Sequence, residues 1–234
     1  MTASAGSANR HEAARQFLTE AASDSWDDGA KTVIADKIDL LTGPRTDDRA
    51  EFTLRSNIVG LLAAGGVYQA GAGTVDSSIT MVRVDGEWRI DELPAGVVID
   101  RSQFFNAYQR QSLFFVDPLG AALVPDVRWL SGSTDQLGNQ LVQLLIDGPR
   151  STLAPAVSNE LGSDVGIRGP ITDIDGGTDQ VGVGVGGVKI DFGGLQSMDA
   201  QNRELLAAQV VWTLATAGVS GPYVLLADGQ PLEE

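Results

Sequence analysis

The stretch "FFVDPLGAALVPDVRWL", from Phe114 to Leu130, decides how the chain is divided. Its apolar run is interrupted at 117–120 by "DPLG", which places Asp, Pro and Gly at positions i, i+1 and i+3 of a type I turn. The flanking residues 113–116 and 123–129 are therefore predicted to pair as a hairpin. Pro125 cannot donate to a ladder, so its arm lies at an edge or a bulge. The hairpin is expected to open a second domain, with Asp126 and Arg128 on one outer face.

Composition limits the classes of function. The chain has 234 residues, of which 43% are hydrophobic, so it can bury a real core and form one or two domains. A net charge of -15 would repel a phosphate backbone, so no nucleic acid partner is expected. No polybasic run is present to hold an anionic membrane surface.

The chain offers few metal ligands or nucleophiles. It has no cysteine, which excludes disulfides, thiolate chemistry and thiolate zinc sites. Its one histidine, His11, is predicted to be a solvent-facing helix residue, and a histidine-based metal cluster is excluded. Residues 1–10 are small and polar and do not read as a signal peptide.

The first half of the chain reads as a helix followed by an antiparallel sheet. Apolar residues at helical spacing predict a helix over 12–22, and residues 31–41 give a mixed pattern that ends at the breaker Gly43-Pro44. Alternation at 52–55 predicts a strand, and the glycine-rich run 58–75 predicts two strands joined around residues 64–66 rather than a membrane span.

Two further signals complete this half. Alternating runs on either side of Asp85-Gly86 predict a hairpin that ends at Leu93-Pro94. Residues 11–100 are therefore predicted to form one α+β domain. A linker helix is predicted over 101–110, with its aromatic residues packed between the two halves, and an aromatic ligand platform is the alternative.

The second half, residues 111–234, is predicted to be a two-layer sandwich of sheet and helices in the order β-β-α-β-β-α-β. Ser133 and Gln136 form a capping box for a helix that ends at Gly148-Pro149, and residues 153–161 form a second short helical piece. Asp199 caps the longest helix, which reaches about Ala217. Residues 223–227 are the final strand.

The glycine-rich stretch "QVGVGVGGVKIDF", at 180–192, matches the spacing of a dinucleotide-binding loop at Gly182, Gly184 and Gly187. Such a loop must lead into a helix, whereas the alternating residues after Gly187 predict a strand. A hairpin that turns at Gly186-Gly187 would pair Val185, Val183 and Val181 with Val188, Ile190 and Phe192. We therefore predict a hairpin and no cofactor.

No group of residues in the sequence matches a known reactive motif. Asp173, Asp175 and Asp179 lack the spacing of a calcium loop, and Asp175-Gly176-Gly177 is predicted to be a turn. The sequence around Gly218-Val219-Ser220 does not match a nucleophile elbow. We predict that the chain is not an enzyme, and we assign no catalytic, cofactor-binding or metal-binding residue.

Several segments taken in order resemble one family. "GEWRIDELPAGVVID" (86–100) and "FFNAYQRQSLFFVDPLGAALVPDVRWL" (104–130) resemble the LpqB family of actinobacterial lipoproteins. "AARQFLTEAASDSWDD" (13–28) looks like its NTF2-like N-terminal region. "LVQLLIDGP" (141–149) and "LLAAQVVWTLATAGVSGPYVLLADGQPL" (205–232) look like its GerMN domain.

The resemblance implies a function. Family members are lipid-anchored on the extracytoplasmic face of the cell membrane, where they interact with the MtrB sensor histidine kinase and modulate the MtrA–MtrB type of two-component signalling. They carry a lipidated cysteine before this region and a C-terminal β-propeller after it, and this sequence has neither. We expect a fragment whose partners are the kinase extracytoplasmic domain and the β-propeller in cis, with membrane contact only through the absent anchor.

Two alternatives remain open. NTF2-like domains often hold a deep pocket, and some isomerases of that shape use an aspartate with a tyrosine. Asp39 and Tyr68 are the residues we would examine for a small-ligand-binding or isomerase-like role. A cell-wall-contact module is the other alternative, and it comes from related GerMN proteins of sporulation.

Overall fold

The protein is an α+β protein, described here by a computed structural model that covers residues 11–132, 134–162, 165–184, 186–195 and 198–232. Its backbone divides into two compact units. The first unit comprises Met1–Gln109 and Trp129–Ser131, and the second comprises Arg110–Arg128 and Gly132–Glu234. The predicted fold class is confirmed.

The first unit is built on a five-stranded sheet. The strands are β1 (Thr32–Arg45), β2 (Arg49–Ala63), β3 (Val67–Val84), β4 (Glu87–Glu92) and β5 (Val97–Asp100). Their order is β4-β3-β2-β1-β5, and every neighbouring pair is antiparallel except β1 with β5. β1 continues through Gly43-Pro44, where we predicted a break, because a register shift between Thr42 and Arg45 takes the proline out of the ladder.

Local turn chemistry joins these strands as the sequence predicts. β2 and β3 are joined by a short 3₁₀ turn at Ala64–Gly66. β3 and β4 are joined by Asp85-Gly86, whose φ angles of 50° and 86° are the positive values that a type I′ turn requires. Both predicted hairpins are confirmed.

Three short helices accompany this sheet: α1 (Glu12–Arg15), α2 (Glu20–Ser25) and α3 (Arg101–Ala107). The predicted single helix over 12–22 is wrong, because the backbone at 16–19 leaves the helix to bond to β4. The Ile90 amide donates to Phe17 O (2.9 Å), and the Thr19 amide donates to Ile90 O (2.8 Å). Thr19 then caps α2 by accepting a hydrogen bond from the Ala22 amide at 3.2 Å.

Two clusters of buried side chains lie in the core formed by the described residues of the first unit. One contains Leu18, Ala22, Trp26 and Val97, and the other contains Ile34, Leu62, Ile99 and Phe104. Phe104, from α3, stacks on Tyr108 with ring centroids 4.9 Å apart and lies 5.1 Å from the Trp129 ring. Each large side chain buried in this way contributes about 1.5–3 kcal/mol.

The described residues of the second unit form two small sheets and two helices. The hairpin strands are β6 (Tyr108–Val116) and β7 (Leu123–Ser131), of which residues 108–109 and 129–131 belong to the first unit. The helices are α4 (Thr134–Asp147) and α5 (Ala200–Thr216). The remaining strands are β8 (Gly166–Ile167), β9 (Val188–Gly193), β10 (Tyr223–Ala227) and β11 (Gln230–Pro231), in the order β11-β10-β9-β8. β9 and β10 are parallel and are connected through α5.

The β6–β7 turn forms as predicted. The Gly120 amide donates to Asp117 O (2.9 Å), and the Asp117 side chain accepts from the amides of Ala121 (2.6 Å) and Ala122 (2.8 Å). These backbone hydrogen bonds, that of Ala122 above all, lower the pKa of Asp117. The turn aspartate is therefore committed to the backbone.

The helices of the second unit agree with the sequence in their main features. Asp199 caps α5 by accepting from the Asn202 amide (2.8 Å), and Leu206, Val210 and Leu214 are buried. α4 ends before Gly148 as predicted. Ser133 of the predicted capping box lies outside the described residues. The helical piece predicted over 153–161 is only a 3₁₀ turn at Ala154–Ala156.

The hairpin predicted over 180–192 is wrong. β9 does begin at Val188, but its neighbours are β10 and β8, and Lys189 bridges to Thr172. With both edges of β9 taken by distant segments, residues 181–184 form turns instead of a strand. Val181 is 1% exposed and Val183 37% exposed, so they do not share one packed face, and Val185 lies outside the described residues.

Candidate functional site

The first unit has an apolar cavity of about 370 Å³, open to solvent, between its N-terminal helical segment and its sheet. This volume lies in the range of small-molecule pockets. The lining residues come from α1, from the residues on either side of α2, from the sheet and from the segment that leads into β5: Ala14, Phe17, Leu18, Trp26, Leu54, Ile79, Ile90, Leu93, Pro94, Gly96, Val97 and Val98.

Trp26 and Leu18 fix the helical wall of the cavity. Trp26 ends α2, and its indole Nε1 donates to Gly96 O at 3.2 Å, which ties the helix to the segment before β5. Leu18 is held against the sheet by its bridge to Ile90. The wall is therefore formed by hydrogen-bonded residues as well as by apolar packing.

A charged cluster holds the N-terminal helix beside this cavity. His11 is 8% exposed and not solvent-facing as predicted, because its Nδ1 lies 2.8 Å from Asp28 Oδ2. Arg15 Nη2 lies 2.5 Å from Asp28 Oδ1, and the guanidinium also donates to the carbonyls of Ser23 and Trp26. The Arg15 guanidinium carbon lies 5.1 Å from the centre of the Trp26 ring.

The pKa of Asp28 reflects this cluster. Burial alone would raise the pKa, but hydrogen bonds from His11 and Arg15, with the positive charge of Arg15, outweigh burial and lower it. The carboxylate therefore stays ionised and serves to anchor the residues that carry the cavity wall. The sequence gives only a weak signal of this role, a histidine and an arginine four residues apart.

The cavity lining contains no acid or base. Each of the twelve described lining residues is apolar or glycine, and none has a titratable side chain. Such a surface gains binding energy from removing apolar area from water, and it cannot transfer a proton. The arrangement suits binding of an apolar group.

Asp39 and Tyr68, the two residues of the isomerase-like alternative, are not brought together. Thr32 pairs with Leu62, which pairs with Tyr68, so seven residues of β1 separate Asp39 from the position of Tyr68. That separation is about 23 Å along the strand. Asp39 instead pairs with Lys37 (2.8 Å), the Tyr68 hydroxyl donates to Val59 O (3.0 Å), and neither lines the cavity.

A smaller, acidic pocket of about 260 Å³ adjoins the apolar cavity and shares Trp26 and Leu93 with it. Its carboxylates are those of Asp27, Asp91 and Glu92. Asp91 accepts from the Thr19 hydroxyl (3.1 Å), and Glu92 accepts from the Thr80 hydroxyl (2.8 Å). These contacts give two of the carboxylates structural roles.

The second unit holds a buried charge cluster that sequence reasoning missed. Asp126 is 0% exposed and Arg128 is 4% exposed, so their predicted outward orientation is wrong. Arg128 Nη2 lies 2.7 Å from Asp126 Oδ2, and Asp126 also accepts from the Arg150 amide at 2.8 Å. Because Arg128 also donates to Gly148 O, the cluster fastens the segment after α4 over this face of β7. Both residues share strand parity with buried Leu130, a signal that could have revealed their orientation.

Neither a metal site nor a membrane-spanning helix is found among the described residues. No group of three or more His, Asp or Glu side chains comes together there as a metal site. Within the same parts of the chain, no helix is both long enough and apolar enough to span a membrane.

Two family models match the chain, one in each half. Residues 1–105 match the family described as the N-terminal domain of lipoprotein LpqB. Residues 112–233 match the Germane family, described as sporulation and spore germination.

Curated relatives match over the whole length of this chain. Lipoprotein LpqB of Rhodococcus jostii strain RHA1 is 58% identical over 99% of the chain, and that of Nocardia farcinica is 48% identical over all of it. The match to lipoprotein LpqB of Mycobacterium tuberculosis is 43% identical over 100% of the chain. The chain spans 39–40% of the length of these relatives.

Solved structures show more distant likenesses. Tandem GerMN domains of the sporulation protein GerM from Bacillus subtilis are 17% identical, with a TM-score of 0.40 over 55% of this chain and 42% of that chain. A lipoprotein of Clostridium perfringens is 18% identical, with a TM-score of 0.31 over 53% of this chain and 78% of that chain.

The fold and its cavity define a two-unit α+β protein in which an apolar pocket lies under short helices on a curled sheet. The chain belongs to the LpqB lipoprotein family, and it carries that family's N-terminal domain followed by a Germane domain. The family name denotes a lipoprotein, which implies a membrane anchor, and it is not the name of an enzyme family.

Proposed function

We propose that the chain is the accessory binding module of an extracytoplasmic lipoprotein, and that it binds the extracytoplasmic domain of an MtrB-type sensor histidine kinase and modulates its signalling. Membership of the LpqB lipoprotein family supports an accessory role. The observation that carries the proposal is the apolar cavity, whose lining can bind but offers no proton donor or acceptor. In the full-length lipoprotein, a β-propeller would be the partner in cis.

The polar residues of the described chain also support binding over catalysis. Asp28 and Asp126 are engaged by arginines, and Asp117 and Asp199 cap backbone amides. Catalytic sites usually gather titratable groups in one hollow. Here the same groups are dispersed among anchors, turns and helix ends.

Isothermal titration calorimetry tests the proposal. The chain is titrated with the purified extracytoplasmic domain of the MtrB-type kinase from the same organism, and saturable binding is expected. The control is the extracytoplasmic domain of an unrelated sensor kinase, which should give only the heat of dilution. Absence of heat with the MtrB-type domain, while circular dichroism shows both proteins folded, would remove this partner.

A second candidate function is binding of a small apolar ligand in the first unit. The observation that favours it is that the cavity is not filled by its own side chains. An isomerase-like activity that uses Asp39 and Tyr68 is not supported, because the two residues lie far apart. The third possibility, cell-wall contact, stays a prediction that comes from sporulation relatives alone.

A pair of adjacent alanines tests the small-ligand candidate. Ala14 lines the cavity, whereas Ala13 is exposed and does not. Ala14→Phe should fill part of the cavity and abolish the fluorescence enhancement of the uncharged probe N-phenyl-1-naphthylamine. Ala13→Phe is the matched control and should leave it intact. Equal enhancement in both variants would place probe binding elsewhere and remove this candidate.

A further inference from the structure

Helix α4 carries a stripe of carboxamide side chains. Gln136, Asn139, Gln140 and Gln143 recur at positions i, i+3, i+4 and i+7, which places them on one face of the helix. All four are exposed, while Leu141, Val142 and Leu145 on the other side are buried. The stripe therefore forms a continuous uncharged polar surface about two turns long.

This stripe forms one wall of an open groove of about 670 Å³ within the second unit. The other wall is formed by Ile167 at the end of β8 and by Pro170 and Ile171 in the segment that follows it, and Thr178 also lines the groove. Among the nine described lining residues none carries a charge, although the chain as a whole has a net charge of -15. The groove thus differs in chemistry from the acidic chain around it.

The lining specifies the chemistry of a ligand. Each carboxamide offers two donors and one acceptor oxygen, so a row of them suits groups that both donate and accept, as hydroxyls do. Ile167 and Pro170 offer apolar surface opposite, against which the C–H face of a sugar ring can pack. Gln143 Nε2 donates to Asp147 Oδ1 at 3.0 Å, which orients one amide of the row.

We propose that the carboxamide groove between α4 and residues 167–171 binds a neutral oligosaccharide. A polypeptide fits less well, because the adjoining sheet edge, β8, is only two residues long. Pro170, which lacks an amide donor, follows shortly after it. An ionic ligand would find no counter-charge in the lining. This inference does not depend on the kinase proposal.

Nuclear magnetic resonance of the side-chain NH₂ groups tests the proposal directly. The probes are maltotetraose, cellotetraose and chitotetraose, with an uncharged alanine-serine-glycine hexapeptide alongside. At least one saccharide should shift the NH₂ resonances of Gln136, Asn139, Gln140 and Gln143 in a saturable manner. Backbone amides of the first unit should not move.

Variants that replace a carboxamide with a carboxylate of the same shape distinguish specific binding in the groove from nonspecific binding to the surface. Gln136→Glu and Asn139→Asp each replace two donors with a charge and should weaken saccharide binding at least about tenfold. Gln201→Glu, an exposed glutamine on α5 that does not line the groove, is the matched control and should leave affinity unchanged. The proposal is overturned if no saccharide shifts the stripe, if the two groove variants bind as well as the control, or if only the hexapeptide binds.

Discussion

At the scale of single residues, two buried aspartates hold separate segments of the chain together. Asp28 holds His11 and Arg15 beside the apolar cavity, and Asp126 holds Arg128 and the segment after α4 against β7. Removing one member of such a cluster leaves its partner desolvated without compensation, which costs more than the cluster itself contributes. Both aspartates should therefore be sensitive sites.

Asp28→Asn should lower the free energy of unfolding by about 2–3 kcal/mol at neutral pH, because it weakens charge-assisted hydrogen bonds to His11 and Arg15. Urea denaturation measures this change. Asp24→Asn, an exposed aspartate on α2, is the matched control and should change stability by less than about 0.5 kcal/mol. An equal change in the free energy of unfolding in the two variants would show that the cluster does not stabilise the first unit.

The pH dependence of Asp28 has a defined sign. Its pKa is lower in the folded chain than its ordinary value of 3.8, so its contribution to stability is complete above that value. The contribution is lost as the pH falls below about 4 through the pKa of the folded chain. The difference in unfolding free energy between the wild type and Asp28→Asn should therefore shrink from pH 5 to pH 3. A difference that stays constant over this range would contradict the assigned role.

Asp126→Asn should destabilise the second unit by about 3–5 kcal/mol, because Arg128 would be left buried with its charge only partly balanced. Urea denaturation followed by the fluorescence of Trp212, which lies in that unit, reports the loss. Asp179→Asn, an exposed aspartate of the same unit, should have little effect. If Asp126→Asn loses little stability, the Asp126 carboxylate is not required to stabilise the second unit.

At the scale of elements, the sequence predicts correctly those elements whose partners are close in the chain, and it fails where the partner is distant. The hairpins at Asp85-Gly86 and at 117–120 were predicted because turn chemistry is local. The glycine-rich hairpin at 180–192 failed because β9 pairs with β10, more than 30 residues further along the chain. The helix at 12–22 failed for the same kind of reason, since β4 draws the backbone at 17–19 out of the helix.

The candidate site was less predictable than the fold. Its lining comes from residues spread from Ala14 to Val98, and no local pattern brings these together. The Asp39 and Tyr68 hypothesis chose suitable residue types, but the strand register separates them. Strand parity with Leu130 indicates which way Asp126 and Arg128 point, but their hydrogen-bond partners lie in the segment after α4, which no local pattern brings beside them.

The β2–β3 turn gives a prediction at this scale. Gly66 has φ of 76°, and a Cβ there would lie 2.5 Å from the Trp129 carbonyl oxygen, a backbone atom of the same unit. Gly86 has a similar φ of 86° with nothing within 4 Å of an added Cβ. Gly66→Ala should therefore lose about 1–3 kcal/mol more stability than Gly86→Ala, measured by urea denaturation. Equal losses would mean that backbone strain alone, and not close approach, selects glycine at position 66.

At the scale of the whole molecule, two compact units offer surfaces of different chemistry. The first has an apolar cavity with an acidic pocket beside it, and the second has an uncharged carboxamide groove. The titratable groups of the first surface belong to the acidic pocket, where two of the three carboxylates accept hydrogen bonds from threonine hydroxyls, and the described lining of the carboxamide groove carries no titratable group. A lipoprotein module with such surfaces is suited to bind other molecules, and we propose that the extracytoplasmic domain of the kinase is one of them.

The most direct test of the proposed role is the autophosphorylation rate of the MtrB-type kinase in proteoliposomes. The chain is attached through a lipid anchor on the side that displays the kinase extracytoplasmic domain, and liposomes with an unrelated anchored protein serve as the control. We predict a reproducible change in the rate that saturates with the amount of anchored chain. A rate that stays equal to the control at saturating density, with both proteins folded and correctly oriented, would contradict the assignment of this chain as a kinase accessory module.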